Sequence, residues 1–372
     1  MKTKLSSLNK IPLIYLYYSF ILAFSDYQVE IKLTYEGFKK LLKVRDIRLN
    51  ISFGIFLDDI IELETIKYFN DQLSNLLDNI NNEVKNSVKK NSSSYLKKNT
   101  TDKKINLTTE EIKKIPISFV LLGERKNVSI LLEAENKILN FKKAVYDSGT
   151  GTVPKFRSMG FSKLIINEIK SKLKKHRVDG FVLEVLEENE KAKNLYLNAG
   201  FNISRKFHCY NIEKEKLEEN LNLLLAQNKE SYESIINKVS IKKMKSLLFF
   251  KESNIVRYCN TPLSWQNSIK SIRNILNKIS ILSIYYKNKL IALSAIEKTN
   301  GDIKFIGVNK NYQTIFENNF IFILILLKAI LKETKSKRIS LLNIDKKSSI
   351  YEYLKIIGFN NFINQFEMYI KI

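Results

Sequence analysis

The feature that most narrows what this chain can fold into is a block between residues 143 and 210. Gly149, Gly151, Gly160, Gly180 and Gly200, five of the chain's 11 glycines, fall within 52 residues there. Such crowding, in a chain with so few Gly and only 4 Pro, predicts positions that need a positive φ or close approach of backbone to a ligand. The residues around the glycines read as strand (143–147), glycine-containing turn, helix (161–175), strand (181–186), helix (189–198) and strand (201–210). An α/β unit whose loop opens onto a helix N-terminus is a ready anion site.

Elsewhere the periodicity is simpler. Residues 11–24 form an apolar run after an early Lys pair, which has the outline of a signal peptide. Three tyrosines and the lack of a small-x-small cleavage site favour instead a buried helix opened by Pro12. Residues 50–57 and 115–122 read as strands. Ile66, Phe69, Leu73, Leu77 and Ile80 recur at helical spacing within 60–84, whereas 86–106 is rich in Lys, Asn and Ser and predicts a disordered surface insert. The apolar run at 316–331, interrupted by Glu317 and Asn318, is shorter than the roughly 20 residues of a span and predicts a buried core helix. No transmembrane helix is expected.

Charge and length add bounds. The 372 residues suffice for two domains. The 62 basic and 38 acidic residues give a formal charge of +24, but the lysines are spread along the chain and accompany abundant Asn and Ile. A coding bias toward A/T-rich codons accounts for that better than a nucleic-acid partner, which calls for a clustered basic face. Cys209, Cys259, His176 and His208 are too few for a disulfide framework or a zinc array. The expected setting is a reducing, cytoplasmic one, and no metal is expected.

Two motifs sharpen the reading. Val153-Pro-Lys-Phe-Arg157-Ser158-Met159-Gly160-Phe161-Ser162 resembles the pyrophosphate loop of the GNAT superfamily of acyl-CoA-dependent N-acyltransferases, Arg/Gln-x-x-Gly-x-Gly/Ala, with Ser162 in the last small position. Asn189-x-x-Ala192-x-x-x-Tyr196-x-x-x-Gly200-Phe201 matches the superfamily's second motif in full, about 30 residues later. The resemblance implies an α/β (α+β) fold with a mixed central sheet flanked by helices. It also implies acetyl-CoA as co-substrate, held by Val153 and by Arg157, Ser158, Met159, Gly160, Phe161 and Ser162, with Asn189 as a further contact or only a helix cap. It makes Tyr196 the acid that protonates the departing thiolate, against the plainer reading of a core aromatic beside Leu195 and Phe201. Residues 23–28 and 144–149 resemble stretches of bacterial tandem GNAT proteins. Asp26, Tyr27 and Asp147 are therefore candidates for the substrate side, and Asp26, Asp147 and Glu184 for the base that an attacking amine needs.

A second, worn copy follows. Gly358-Phe359 repeats Gly200-Phe201 at an offset of 158 residues (358 − 200), each preceded by a strand and a helix. On that register Tyr196 becomes Leu354 and Asn189 becomes Lys347. The loop becomes Gln313-Thr-Ile-Phe316-Glu-Asn318, with Phe in the place of Gly160, which predicts that this half holds no cofactor. Two related copies in tandem are expected: a GNAT-like domain over 1–211 with an insert at about 60–114, a helical linker over 212–240, and a degenerate copy over 241–372. The expected activity is acetyl transfer to a primary amine, from a small molecule or a peptide. A non-catalytic acyl-CoA-binding or scaffold protein is the alternative.

Overall fold

A computed structural model describes residues 1–26, 33–59, 61–90, 105–244, 252–312 and 319–372. The expected Tyr27, the 313–318 loop and the middle of the insert lie outside the described residues. The chain packs into two compact units, Met1–Arg125 with Lys143–Phe181 and Lys371–Ile372, and Lys126–Lys142 with Val182–Ile370.

The first unit contains β1 (Thr3–Ser7), α1 (Leu13–Ala23), α2 (Tyr35–Val44), β2 (Phe53–Leu57), α3 (Leu63–Lys90), α4 (Thr109–Ile112), the inner parts of β3 (Ser118–Leu132) and β4 (Lys137–Thr152), and α5 (Phe161–Lys175). Its strands run in the order β1-β2-β3-β4, with β1 antiparallel to β2 and β2 antiparallel to β3. The apolar N-terminal run is α1, with Pro12 at its cap and Leu16, Tyr17, Phe20 and Ile21 buried. Phe20 packs against Phe24, Phe38 and Phe119 at ring-centroid distances of 4.8, 5.0 and 6.2 Å. Helix α3 continues to Lys90, beyond the 84 expected from its apolar spacing. Residues after the insert are tied back to it: the Leu107 N–H donates to Asn70 Oδ1 (2.7 Å) and the Ile105 N–H to Ser74 Oγ (3.2 Å).

The second unit holds β5 (Gly180–Leu186) from Val182 onward, α6 (Glu190–Asn198), β6 (Asn202–Glu213), α7 (Lys214–Gln227), α8 (Lys229–Ile236), β7 (Val239–Met244), α9 (Glu252–Cys259), α10 (Ile269–Asn274), β8 (Ile279–Tyr286), β9 (Lys289–Glu297), β10 (Asp302–Val308), α11 (Asn319–Leu331), β11 (Arg338–Asp345), α12 (Tyr351–Ile357) and β12 (Asn360–Lys371) to Ile370. The strand order is β5-β12-β6-β11-β10-β9-β8-β7, mixed because β10 and β11 run parallel while their neighbours on either side run antiparallel. Of the apolar run at 316–331, the described Asn319–Leu331 is α11, with Ile321 to Leu327 all buried, a helix apolar on nearly every side because it lies inside the core. Among the described residues no helix is long and apolar enough to cross a membrane. Both units are thus mixed α/β, with sheets flanked by helices.

The repeat is visible in the hydrogen-bond register. Adding 158 to Asn202–Glu213 gives Asn360–Lys371, so β6 and β12 correspond end to end. They pair antiparallel from Asn211↔Asn360 to Asn202↔Tyr369, with Phe207 opposite Gln365, its own counterpart 158 residues on. The two irregularities, which skip Phe362 on β12 and Ser204 on β6, are counterparts as well. A local two-fold axis therefore passes between Phe207 and Gln365. On either side of it the copies have exchanged their last strands: β12 sits beside β5, and β6 beside β11, the counterpart of β5.

Candidate active site

In the first unit the site starts with the end of β4. Asp147 is 7% exposed and turns inward on its own strand, its Oδ1 accepting the Gly149 N–H (2.9 Å) and its Oδ2 the Thr150 hydroxyl. The Ser148 carbonyl accepts from Arg45 Nη1 at 2.9 Å. Side chains thus take up main-chain groups of β4 at 148–149, and the Asp147 carboxylate organises the strand itself.

The segment that follows is built for a sharp exit. The Val153 N–H donates to the Ile117 carbonyl (2.9 Å) and the Arg157 N–H to the Pro154 carbonyl (3.1 Å), so both amides are engaged inside the protein. Ser158 (φ +63°) and Gly160 (φ +78°) are left-handed, and Gly160 caps α5. Leu164 closes the first helical turn onto the Gly160 carbonyl (3.0 Å), which leaves the N–H groups of Phe161, Ser162 and Lys163 without an intrahelical acceptor. Ser158, Met159 and Gly160 are exposed, and no heavy atom stands within 4 Å of where a Gly160 Cβ would be. The loop thus faces open space that a side chain would fill. Ser162, the departure from the motif, shares a hydrogen bond with Thr152 Oγ1 (3.0 Å), which in turn bonds the Ser118 hydroxyl (2.8 Å).

Of the five crowded glycines, only Gly160 and Gly200 have positive φ. Gly151 is required for a different reason: a Cβ there would stand 2.7 Å from the Phe119 ring and 2.9 Å from the Ala23 Cβ. Packing, and not backbone handedness, excludes a side chain at that position.

Arg157 and Asp26, expected to serve cofactor and substrate separately, are brought together. The guanidinium donates to both carboxylate oxygens of Asp26 (2.6 and 2.7 Å), and also to the carbonyls of Ala23 (3.0 Å) and Thr152 (3.2 Å). The hydrogen bonds and charge of Arg157 hold the Asp26 carboxyl below its ordinary pKa, and Asp26 raises that of the guanidinium. The pair is separated by 131 residues.

In the second unit Asn189 is the N-cap of α6, its Oδ1 accepting the Ala192 N–H at 3.1 Å. Tyr196 is 6% exposed, its ring edge-on to Phe201 at 5.6 Å. The helix ends as its motif requires: Gly200 has φ +87°, and the Phe201 N–H returns to the Tyr196 carbonyl at 3.0 Å. The worn copy keeps this architecture. Gly358 has φ +94°, and the Phe359 N–H returns to the Leu354 carbonyl at 2.9 Å. The backbone of the second motif thus survives where its phenol does not.

Glu184, on β5, is held by the second copy. Its Oε2 accepts from Gln266 Nε2 (2.7 Å) and from Asn343 Nδ2 (2.8 Å). Asn343, at φ +58°, also donates to Ser264 Oγ (3.2 Å) and accepts from Gln365 Nε2 (3.0 Å). No local sequence signal marks this network, whose members are up to 159 residues apart. No group of three or more His, Cys, Asp or Glu that could hold a metal ion occurs among the described residues.

No protein-family profile matches the sequence, and no curated protein sequence does. Solved structures do. A candidate acetyltransferase from Pyrococcus horikoshii superposes with a TM-score of 0.51 at 9% identity, over 100% of this chain and 89% of that one. A conserved Enterococcus faecalis V583 protein of unknown function, named as a candidate N-acyltransferase, gives 0.51 at 10% identity, over 99% and 71%. The chain has a GNAT-type fold. A GCN5-related N-acetyltransferase from Kribbella flavida gives 0.49 at 6% identity, over 99% and 71%, and the fold rests on the first two. At such identities the likeness to GNAT proteins is one of fold, and chemistry has to be argued from residues.

Proposed function

We propose that the chain is an N-acetyltransferase that moves an acetyl group from acetyl-CoA to a primary amine by direct transfer, in the cytoplasm, with 1–211 as the working GNAT-like domain, 212–240 as connection and 241–372 as the degenerate copy. The observation that carries this reading is the exposed Ser158-Met159-Gly160 turn at the start of α5, with open space in front of Gly160. Amides at a helix N-terminus suit the phosphates of coenzyme A, and the missing Cβ allows backbone to approach them. Ser158, Met159, Gly160, Phe161 and Ser162 would hold the pyrophosphate, with Arg157 adding charge near the phosphates, Val153 shaping the loop and Asn189 setting the start of α6. Acetyl-CoA, when bound, supplies an acyl group already activated as a thioester. The protein's part is to hold the amine and the acyl group in near-attack geometry, which is worth several orders of magnitude in rate. Tyr196 is assigned the proton delivered to the departing sulfur. Asp26, Tyr27 and Asp147 stay assigned to the substrate side, Asp26 through its hold on Arg157. The acceptor is a small-molecule or peptide amine.

The engagement of Arg157 with Asp26 and two carbonyls favours a second reading, an acyl-CoA-binding or scaffold protein without turnover. One experiment separates the two. Thermal melts with acetyl-CoA at about 100 times its Kd should show a stabilisation of roughly 2.7 kcal/mol in wild type and Tyr196→Phe, and none in Gly160→Phe. Release of free thiol with an amine panel then reports turnover. Binding without turnover on any amine supports the acyl-CoA-binding reading, and absence of any shift in the folded wild type removes the enzyme and leaves the scaffold.

A further inference from the structure

A cleft of about 400 Å³ between α8, β7, β8 and α11 takes no part in the chemistry above. Its floor is apolar: Tyr232 and Ile236 from α8, Ile241 from β7, Leu282 from β8, Ile325 and Ala329 from α11. Leu282 and Ile325 belong to the core at 4% and 3% exposure, whereas Ile241, on the terminal strand of its sheet, is 43% exposed. The walls are basic. Lys242, Lys243, Lys328 and Lys332 line the cleft together with one carboxylate, Glu333.

That carboxylate is already committed. Glu333 pairs with Lys243 at 2.5 Å and accepts the Ser280 hydroxyl. Lys242 turns to the other face of β7, over the Tyr285 ring (5.2 Å), since the register places Ile241 and Lys243 on the side of Leu282; Lys328 donates to Asn222 Oδ1 (3.4 Å), and among the described residues no carboxylate pairs with Lys328 or Lys332. Two ammonium groups, those of Lys328 and Lys332, therefore border an apolar floor without a paired carboxylate. The volume falls in the small-ligand range of roughly 300–1,000 Å³, and a stable protein partner would need about 800 Å² of matching surface, far more than the cleft offers. An inorganic anion would leave the floor wet, and a neutral or cationic amphiphile would leave the ammonium groups unmatched.

We propose that this cleft binds a medium-chain fatty acid, its carboxylate between Lys328 and Lys332 and its chain on the Tyr232–Ile241–Ile325 floor. Isothermal titration of the full chain with decanoate, octanoate, 1-decanol and decyltrimethylammonium tests this. Decanoate should bind saturably at one site, about tenfold tighter than octanoate because two more methylenes are buried, and tighter than decanol, and the ammonium amphiphile should not bind there. Lys332→Glu and Ile241→Asp, both at exposed positions, should each weaken decanoate at least tenfold with circular dichroism unchanged, while Gly160→Phe should leave it unaltered. No saturable decanoate binding by the folded protein overturns the proposal. So does equal binding by both variants and wild type, loss of binding in Gly160→Phe alone, or equal affinity for decanoate and decanol.

Discussion

The charge cluster at Arg205 offers the most decisive test of how the second unit is held together. Its side chain is fully buried, and its guanidinium donates to both oxygens of Glu367 (2.8 and 3.0 Å), to Asp345 (3.3 Å) and to the Pro262 carbonyl (2.8 Å). Ser204 adds a hydroxyl to Glu367 (2.8 Å), and the guanidinium face lies 4.4 Å from the Phe207 ring centroid. Glu367→Gln keeps the shape but removes a charge, which leaves the guanidinium with Asp345 as its only carboxylate partner among the described residues, reached through one 3.3 Å contact. Breaking a buried pair from one side costs about 3–5 kcal/mol. In a unit of this size that corresponds to a fall in Tm of roughly 10 °C. The triple variant Arg205→Met, Glu367→Leu, Asp345→Asn removes all three charges, with the Asn side-chain oxygen still able to accept the Lys347 N–H that Asp345 takes at 2.8 Å, and should recover at least half of the loss. Scanning calorimetry at neutral pH reads both. A Glu367→Gln Tm within about 2 °C of wild type, or a triple variant no better than the single, would refute the reasoning.

Four further outcomes are expected. Gly151→Ala should lower stability by about 1–3 kcal/mol through overpacking against Phe119 and Ala23, whereas Gly160→Ala, which meets nothing, should lose only the roughly 1 kcal/mol of a left-handed residue; chemical denaturation compares them. His208 is 7% exposed, and burial, then Lys206, lowers its pKa below 6.5, against opposing effects of Asn364 and Glu187. The unfolded chain therefore takes the proton first, so stability should fall as pH drops through about 6.5, and melts of His208→Gln should lack that component. Asp26→Asn should tighten acetyl-CoA by about 1.5- to 5-fold, since an exposed pair competes with a phosphate for Arg157 by only about 0.2–1 kcal/mol; titration calorimetry decides, and weaker binding would show that the pair shapes the loop. Tyr196→Phe should reduce kcat about 100-fold with acetyl-CoA affinity unchanged, in a coupled thiol-release assay.

What could be read ahead depended on range. Helix α5 spans the expected 161–175, and α11 emerges from an apolar run that periodicity alone marks as a core helix. The offset of 158 was legible at two glycines and proved to extend to the hydrogen-bond register. Arg157 with Asp26, and Glu184 with Gln266 and Asn343, were not legible as partners, because nothing in a window of neighbours encodes which distant side chain completes a bond. The glycine crowding was over-read at Gly151, whose need for a bare Cα comes from Phe119, a residue on another strand. Helix α3 outran its apolar spacing to Lys90, since propagation of a long helix does not need a buried face at every turn.

The exchange of β6 and β12 bears on how the protein is made. A ribosome completes β5 and β6 long before β12, the strand that lies between them. At about 5–20 residues per second, the stretch from β6 to the end of β12 takes roughly 8–30 s to synthesise. Throughout that interval the nascent first copy carries open strand edges, each a template for an unrelated chain. A premature stop before β12 would leave those edges uncovered for good, so translational fidelity across the last part of the chain protects strands made long before it.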